Sequence, residues 1–260
     1  MKKIFAMLLA LTMILLCFTG CGGKDGDSDL AYIKDKGVLI VGITDYPPMD
    51  YKDENGQWTG FDAEFARLVA KELGVDVEFF VIADWGKKVF ELDSKNIDCI
   101  WNGMTINEEL LKTTSVSDPY VVNAQVVVMK ADQISAYPDA ASLAGLNVAV
   151  ESGSAGQTAA QDAGIANIVE VQYQTNALME VAAGTADACV IDITMARNMT
   201  GEGTGYENLA IGPTLTSEEY GIGFRQGSDV TARVNEIMAK LIADGTLQAL
   251  ADKYGLTLAK

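Results

Sequence analysis

One pattern occurs twice along this chain and narrows its possible folds more than any other feature. A helical stretch leads to a Gly or Asn, then an acid, then a short apolar strand that ends on a polar residue. The first copy is Asn96-Ile97-Asp98-Cys99-Ile100-Trp101-Asn102, and the second is Gly184-Thr185-Ala186-Asp187-Ala188-Cys189-Val190-Ile191-Asp192. Each copy closes a series in which strands alternate with helices. In the first series, Val38-Leu39-Ile40-Val41-Gly42-Ile43 is an apolar, β-branched run bounded by Gly37 and by Asp45-Tyr46-Pro47-Pro48, as expected of a buried strand. Residues 50–60 carry the turn signal Asn55-Gly56, and Phe61, Phe65, Leu68, Val69 and Leu73 then recur at helical spacing until Gly74 stops the helix. A strand over 75–82, a short helix over 87–92, a strand over 97–101, a short helix over 108–112 and a strand over 123–130 follow. The second series repeats this in miniature: a strand over 147–150, a glycine-bearing turn over 152–156, a helix over 157–163, a strand over 168–171, a helix over 176–183 and a strand over 188–191.

Such alternation predicts an α/β fold with mostly parallel sheets, and its repetition predicts two similar lobes. A tail with strands over 209–213 and 219–224, a helix over 229–243 and a last apolar stretch over 247–254 can return to the first lobe. Lobe 1 is therefore expected to comprise residues 30–128 and 216–260, and lobe 2 residues 129–215. The chain would cross between them twice, and paired crossings make a hinge.

Composition excludes several functions. Lys and Arg total 19 against 36 Asp and Glu, a net charge of −17, and such a surface repels phosphate backbones, so no nucleic-acid partner is expected. Histidine is absent. That removes the Ser-His-Asp triad, the Cys-His pair and the zinc–histidine sites, and neither a metal nor a cofactor is expected.

The first 20 residues have a basic start at Lys2 and Lys3, an apolar stretch from 4 to 16 and small residues at Thr19 and Gly20. This is the layout of a cleaved export signal, and it is too short for a comfortable membrane span. Phe18-Thr19-Gly20-Cys21 resembles the lipobox of bacterial lipoproteins, which implies acylation of Cys21 and a polar tether over 21–29. The expected location is the outer face of the cytoplasmic membrane. Of the 4 cysteines, Cys17 lies in the signal, and Cys99 and Cys189 lie in apolar runs where small buried thiols are expected.

Gly60-Phe61-Asp62-Ala63-Glu64, the Asn102-Gly103-Met104-Thr105-Ile106 continuation of the first repeat, Ser117-Asp118-Pro119-Tyr120 and Asp244-Gly245-Thr246-Leu247 together resemble the extracellular solute-binding proteins, family 3, of amino-acid ABC transporters. The resemblance spans roughly residues 30–256. It implies a type 2 periplasmic-binding fold, monomeric, closing on an amino acid or related amine and delivering it to an ABC permease. Carried over by position, Tyr46 and Trp85 would wall the ligand. Asn102, Gly103, Met104 and Thr105 would form a strand-to-helix turn meeting its polar head. Ser154 and Ala155 would offer backbone N–H groups at a helix start, and Asp192 would pair with its ammonium.

One position departs from the family. Where most members carry an Arg that clamps the α-carboxylate, this chain reads Asn107-Glu108-Glu109-Leu110. An uncompensated buried charge costs about 3–5 kcal/mol. Either Thr105 and the amides near Ser154 hold the carboxylate alone, or Lys87 or Lys88 swings in, or the ligand has no α-carboxylate. Two other functions share the fold: a ligand-sensing lipoprotein without transport, and a cyclohexadienyl-dehydratase-like enzyme. The missing His and Arg argue against the enzyme.

Overall fold

The computed structural model describes residues 28–260; the expected signal, Cys17, Cys21 and nearly all of the tether lie outside the described residues. After a helix over Asp29–Lys36, β1 (Val38–Ile43) buries Leu39, Val41 and Ile43. The short strands β2 (Tyr51–Lys52) and β3 (Trp58–Thr59) pair as a hairpin around the Asn55-Gly56 turn. The helix Phe61–Leu73 buries Phe61, Phe65, Ala66, Val69 and Leu73 and ends on the left-handed Gly74. Its first turn is gripped by the preceding loop: Phe61 N–H donates to the Pro48 carbonyl and Asp62 N–H to the Met49 carbonyl, both at 3.0 Å. Gly60 is required there, because a Cβ would fall 2.3 Å from the Met49 oxygen. The loop that carries Asp45 and Tyr46 is thereby fixed to the helix.

The chain continues through β4 (Asp76–Val81), β5 (Cys99–Thr105), β6 (Thr114–Val116) and β7 (Val121–Asn123) into β8 (Gln125–Lys130), β9 (Asn147–Glu151), β10 (Asn167–Val171), β11 (Ala188–Asp192), β12 (Leu209–Thr214) and β13 (Glu218–Arg225). The first sheet runs β4-β1-β5-β13-β6, with β7 also on β13, and the second runs β10-β9-β11-β8-β12. Three strands of each sheet are parallel neighbours; the others pair antiparallel, and of these β7, β8, β12 and β13 arrive from or leave for the opposite sheet. The helices Val230–Ala243 and Thr246–Tyr254 pack with Phe61–Leu73 on the first sheet.

Several boundaries differ from the sequence reading. The passage expected at 128/129 falls inside β8, which lies wholly in the second sheet; by sheet membership the chain crosses at Ala124 and returns at 215–217. The expected turn at 102–105 is instead the end of β5, extended because β13 pairs with it at Met104 and Thr105. The helix expected over 157–163 is Ala155–Asp162, started two residues earlier by the Ser154 cap, and the helix Ile193–Met199 was not foreseen. Cys99 and Cys189 are free, buried thiols, in different sheets.

The two copies of the repeat share a hydrogen-bond device. Asp98 accepts the Ile40 N–H at 2.8 Å and Asp187 accepts the Asn147 N–H at 2.8 Å. In return Asp98 N–H donates to the Ile40 carbonyl and Asp187 N–H to that of Asn147. Each acid locks its strand in register with the neighbouring strand. Asp98 is additionally paired with Lys36 at 2.6 Å and Arg225 at 3.5 Å.

Candidate functional site

A cavity of about 330 Å³ lies between the two sheets, and all ten expected ligand residues line it: Tyr46, Trp85, Asn102, Gly103, Met104, Thr105, Leu110, Ser154, Ala155 and Asp192. Thr44, Asp45, Lys88, Glu109, Glu151, Gln157 and Gln174 line it as well.

On the first-lobe side, most polar groups are already engaged. Asn102 accepts the Thr44 N–H at 3.0 Å and donates to the Thr44 carbonyl at 3.2 Å and to Asp50 at 2.7 Å. It holds the loop that presents Asp45 and Tyr46. Gly103 N–H donates to Asp62 at 2.7 Å, and Asp62 also accepts from Tyr120 Oη at 2.9 Å. Gly103 sits at φ +55°, with Tyr46 Cε1 only 2.5 Å from where a Cβ would be; glycine lets the tyrosine ring pack flat on the strand. The Thr105 hydroxyl donates to Glu218 at 2.8 Å. Neither Gly103 N–H nor the Thr105 hydroxyl is therefore free in this state, a difference from the expected role of the segment 102–105. The cause is long-range pairing that local sequence does not reveal.

Trp85 is 7% exposed, and one face of its ring is occupied by Lys88 Nζ at 4.9 Å. Burial lowers the Lys88 ammonium from its ordinary value, opposed by Glu151, Glu109 and Asp84. Leu110 is buried, packs in a cluster with Ile82, Trp85, Ile100 and Met104, and also forms cavity wall.

On the second-lobe side, the Ser154 hydroxyl caps its helix by accepting the Gln157 N–H at 3.1 Å. Asp192 ends β11 and is 4% exposed. Its carboxylate accepts from Asn123, from Gln125 at 2.8 Å and from Gln174. Burial, and next the charge of Glu218, push it up to about 7 against those amide bonds. Glu151 ends β9, is also 4% exposed, and burial with the Asp192 charge raises it to about 8, opposed by Lys88. The sequence reading overlooked Glu151 and Gln174. A signal for Glu151 existed: Val148-Ala149-Val150-Glu151 ends an apolar strand on an acid, as Val190-Ile191-Asp192 does.

The lobes touch at the cavity mouth. Lys88 Nζ donates to the Gly153 carbonyl at 3.2 Å and Gln172 Nε2 to the Ala83 carbonyl at 3.0 Å. Deeper, the Tyr46 hydroxyl bonds Thr194 and Tyr220. The arrangement is a closed cleft that can enclose one small molecule, acidic at its second-lobe end.

Similarity to known proteins agrees with this geometry. The chain is 30% identical over 230 residues to the L-cystine-binding protein TcyJ of Escherichia coli (strain K12), covering 85% of this chain and 84% of that protein. Among solved structures, the P235GK mutant of ArgBP from T. maritima superposes with a TM-score of 0.81 at 33% identity, covering 87% of this chain and 98% of that one. An ancestral amino-acid-binding protein, AncCDT-1, described as a precursor of cyclohexadienyl dehydratase, gives 0.80 at 33% identity, covering 87% and 99%. These neighbours share the two-lobe type 2 periplasmic-binding fold. With residues 39–257 matching the model of bacterial extracellular solute-binding proteins, family 3, this chain belongs to that family.

Proposed function

We propose that this chain is the binding component of an ABC importer, held at the outer face of the membrane by a lipid on Cys21. It takes a small amino acid or related amine into the cleft as its lobes, residues 28–123 with 218–260 and residues 125–214, close about the two connections. The observation that carries this reading is the cavity walled by both sheets, with the buried acid Asp192 at its base. Tyr46 and Trp85 supply apolar walls, the helix start at Ser154 and Ala155 supplies N–H groups, and Asp192 meets the ligand ammonium, a charge-assisted bond in a dry site. Relatives named for amino-acid binding support an amino-acid-like ligand. The absence of histidine leaves no usual proton shuttle, so the reading is of a binder rather than a dehydratase.

Calorimetry of the purified chain with amino acids and amines side by side tests it. A member of that panel should bind, and Asp192→Asn should weaken it by at least about tenfold while the unfolding midpoint stays within a few degrees. Unchanged affinity would place the ligand elsewhere. Cys21→Ser should release the protein from membranes into the medium; continued membrane attachment argues against the anchor.

A further inference from the structure

We infer that Glu151 is a second ligand-binding acid, acting with Asp192, and that together they reserve the cleft for ligands of net positive charge, basic amino acids or amines. The inference rests on the cleft being the ligand site. Glu151 and Asp192 are the last residues of β9 and β11, parallel neighbours in one sheet, and both line the cavity. Their partners differ sharply. Asp192 is surrounded by three amides, whereas Glu151 has only Gln174 beside its carboxyl, and its Oε1 is buried with no hydrogen-bond partner. An unpaired buried acceptor is costly, and a carboxylate oxygen left so in a cavity wall is placed to take a donor from a ligand.

The resident cation does not fill that place. Lys88 faces Glu151, but its ammonium donates to the Trp85 and Gly153 carbonyls at 3.3 and 3.2 Å. No ion pair within 4.0 Å joins it to Glu151 among the described residues. The titratable groups facing Glu151 are Asp192, Lys88 and Tyr173. Around the whole cavity the charged lining is Asp45, Glu109, Glu151 and Asp192 against Lys88. With Glu151 and Asp192 ionised and Lys88 charged, the buried end carries one uncompensated negative charge, which a ligand of net charge +1 balances and a neutral zwitterion does not. Burial keeps Glu151 protonated near neutral pH when the cleft is empty, so a cation should drive off that proton as it enters.

Calorimetry of the purified chain tests this with near-isosteric charged and neutral pairs, L-arginine against L-citrulline and L-lysine against L-norleucine, with agmatine and putrescine as carboxylate-free cations. The tightest cation should bind at least about tenfold better than its neutral partner, or than every neutral compound if it is an amine. Binding at pH 7 should release protons, read from the dependence of the heat on buffer ionisation enthalpy. Glu151→Gln should cut the charge preference below about threefold and reduce the release to the smaller part that Asp192 supplies, without lowering the unfolding midpoint. Equal affinity for charged and neutral partners, or an unaltered preference and release in Glu151→Gln, would overturn the inference while leaving the cleft as the site. Binding indifferent to Asp192→Asn, or none by any compound, would overturn the cleft reading and this inference with it.

Discussion

Leu110 packs against Trp85, Met104 and Ile100 while forming part of the cavity wall, so an arginine placed there would need to turn its guanidinium out of an apolar cluster toward the ligand. Leu110→Arg should raise affinity for standard α-amino acids by about tenfold or more through a bidentate carboxylate contact and weaken binding of carboxylate-free amines, both read by calorimetry. If neither class responds, Leu110 serves the apolar cluster alone. The positions lining the cavity were legible through the family resemblance, carried over position by position. Their hydrogen-bond partners were not. Asn102 and Gly103 spend their polar groups on Asp50, Thr44 and Asp62, and Thr105 on Glu218; partners tens of residues away leave no trace in local spacing. Glu151 was missed for a related reason, since a strand-end acid reveals its burial only when the opposite lobe covers it.

At the level of elements, the contact between the short 3-10 turn at Trp85–Lys87 and the β9 exit turn decides how far the lobes can approach. Gly153 has φ +73°, and a Cβ on it would stand 2.5 Å from Gly86 Cα across the cleft. Gly153→Ala should therefore hold the lobes apart, lowering ligand affinity by about tenfold or more and removing the ligand-induced compaction seen by small-angle scattering. Unimpaired compaction in that variant would show that closure does not need this approach. The alternation of strands and helices was readable because apolar spacing is a local property, and the duplicated acid proved to be a duplicated register clamp at Asp98 and Asp187. The end of β5 and the start of β8 were misjudged since an antiparallel partner supplied from far along the chain sets them.

Across the whole molecule, buried acids make stability depend on pH in an unusual direction. Asp62 and Asp192 are raised to about 7 and Glu151 to about 8, in each case chiefly by burial, whereas unfolded Asp and Glu titrate near about 4. The folded chain binds more protons than the unfolded chain between about pH 4 and 8, so stability falls as pH rises through that window. Glu72, lowered by its Lys240 hydrogen bond, acts in the opposite sense but only below that range. The unfolding midpoint of the ligand-free chain should be higher at pH 5.5 than at pH 8 by several degrees, about 2–4 °C per kcal/mol for a chain of this size; a flat or rising midpoint contradicts the assignment. The same acids meet the hinge itself. Asn123 and Gln125 flank the crossing at Ala124, and each donates to both Asp192 and Glu218. A cation pairing with Asp192, as proposed, would change the charge those two amides feel beside the crossing. Pivot and scale would then be one device, and a spectroscopic label on the exposed Val122, two residues before the crossing, should register occupancy without ever touching the ligand.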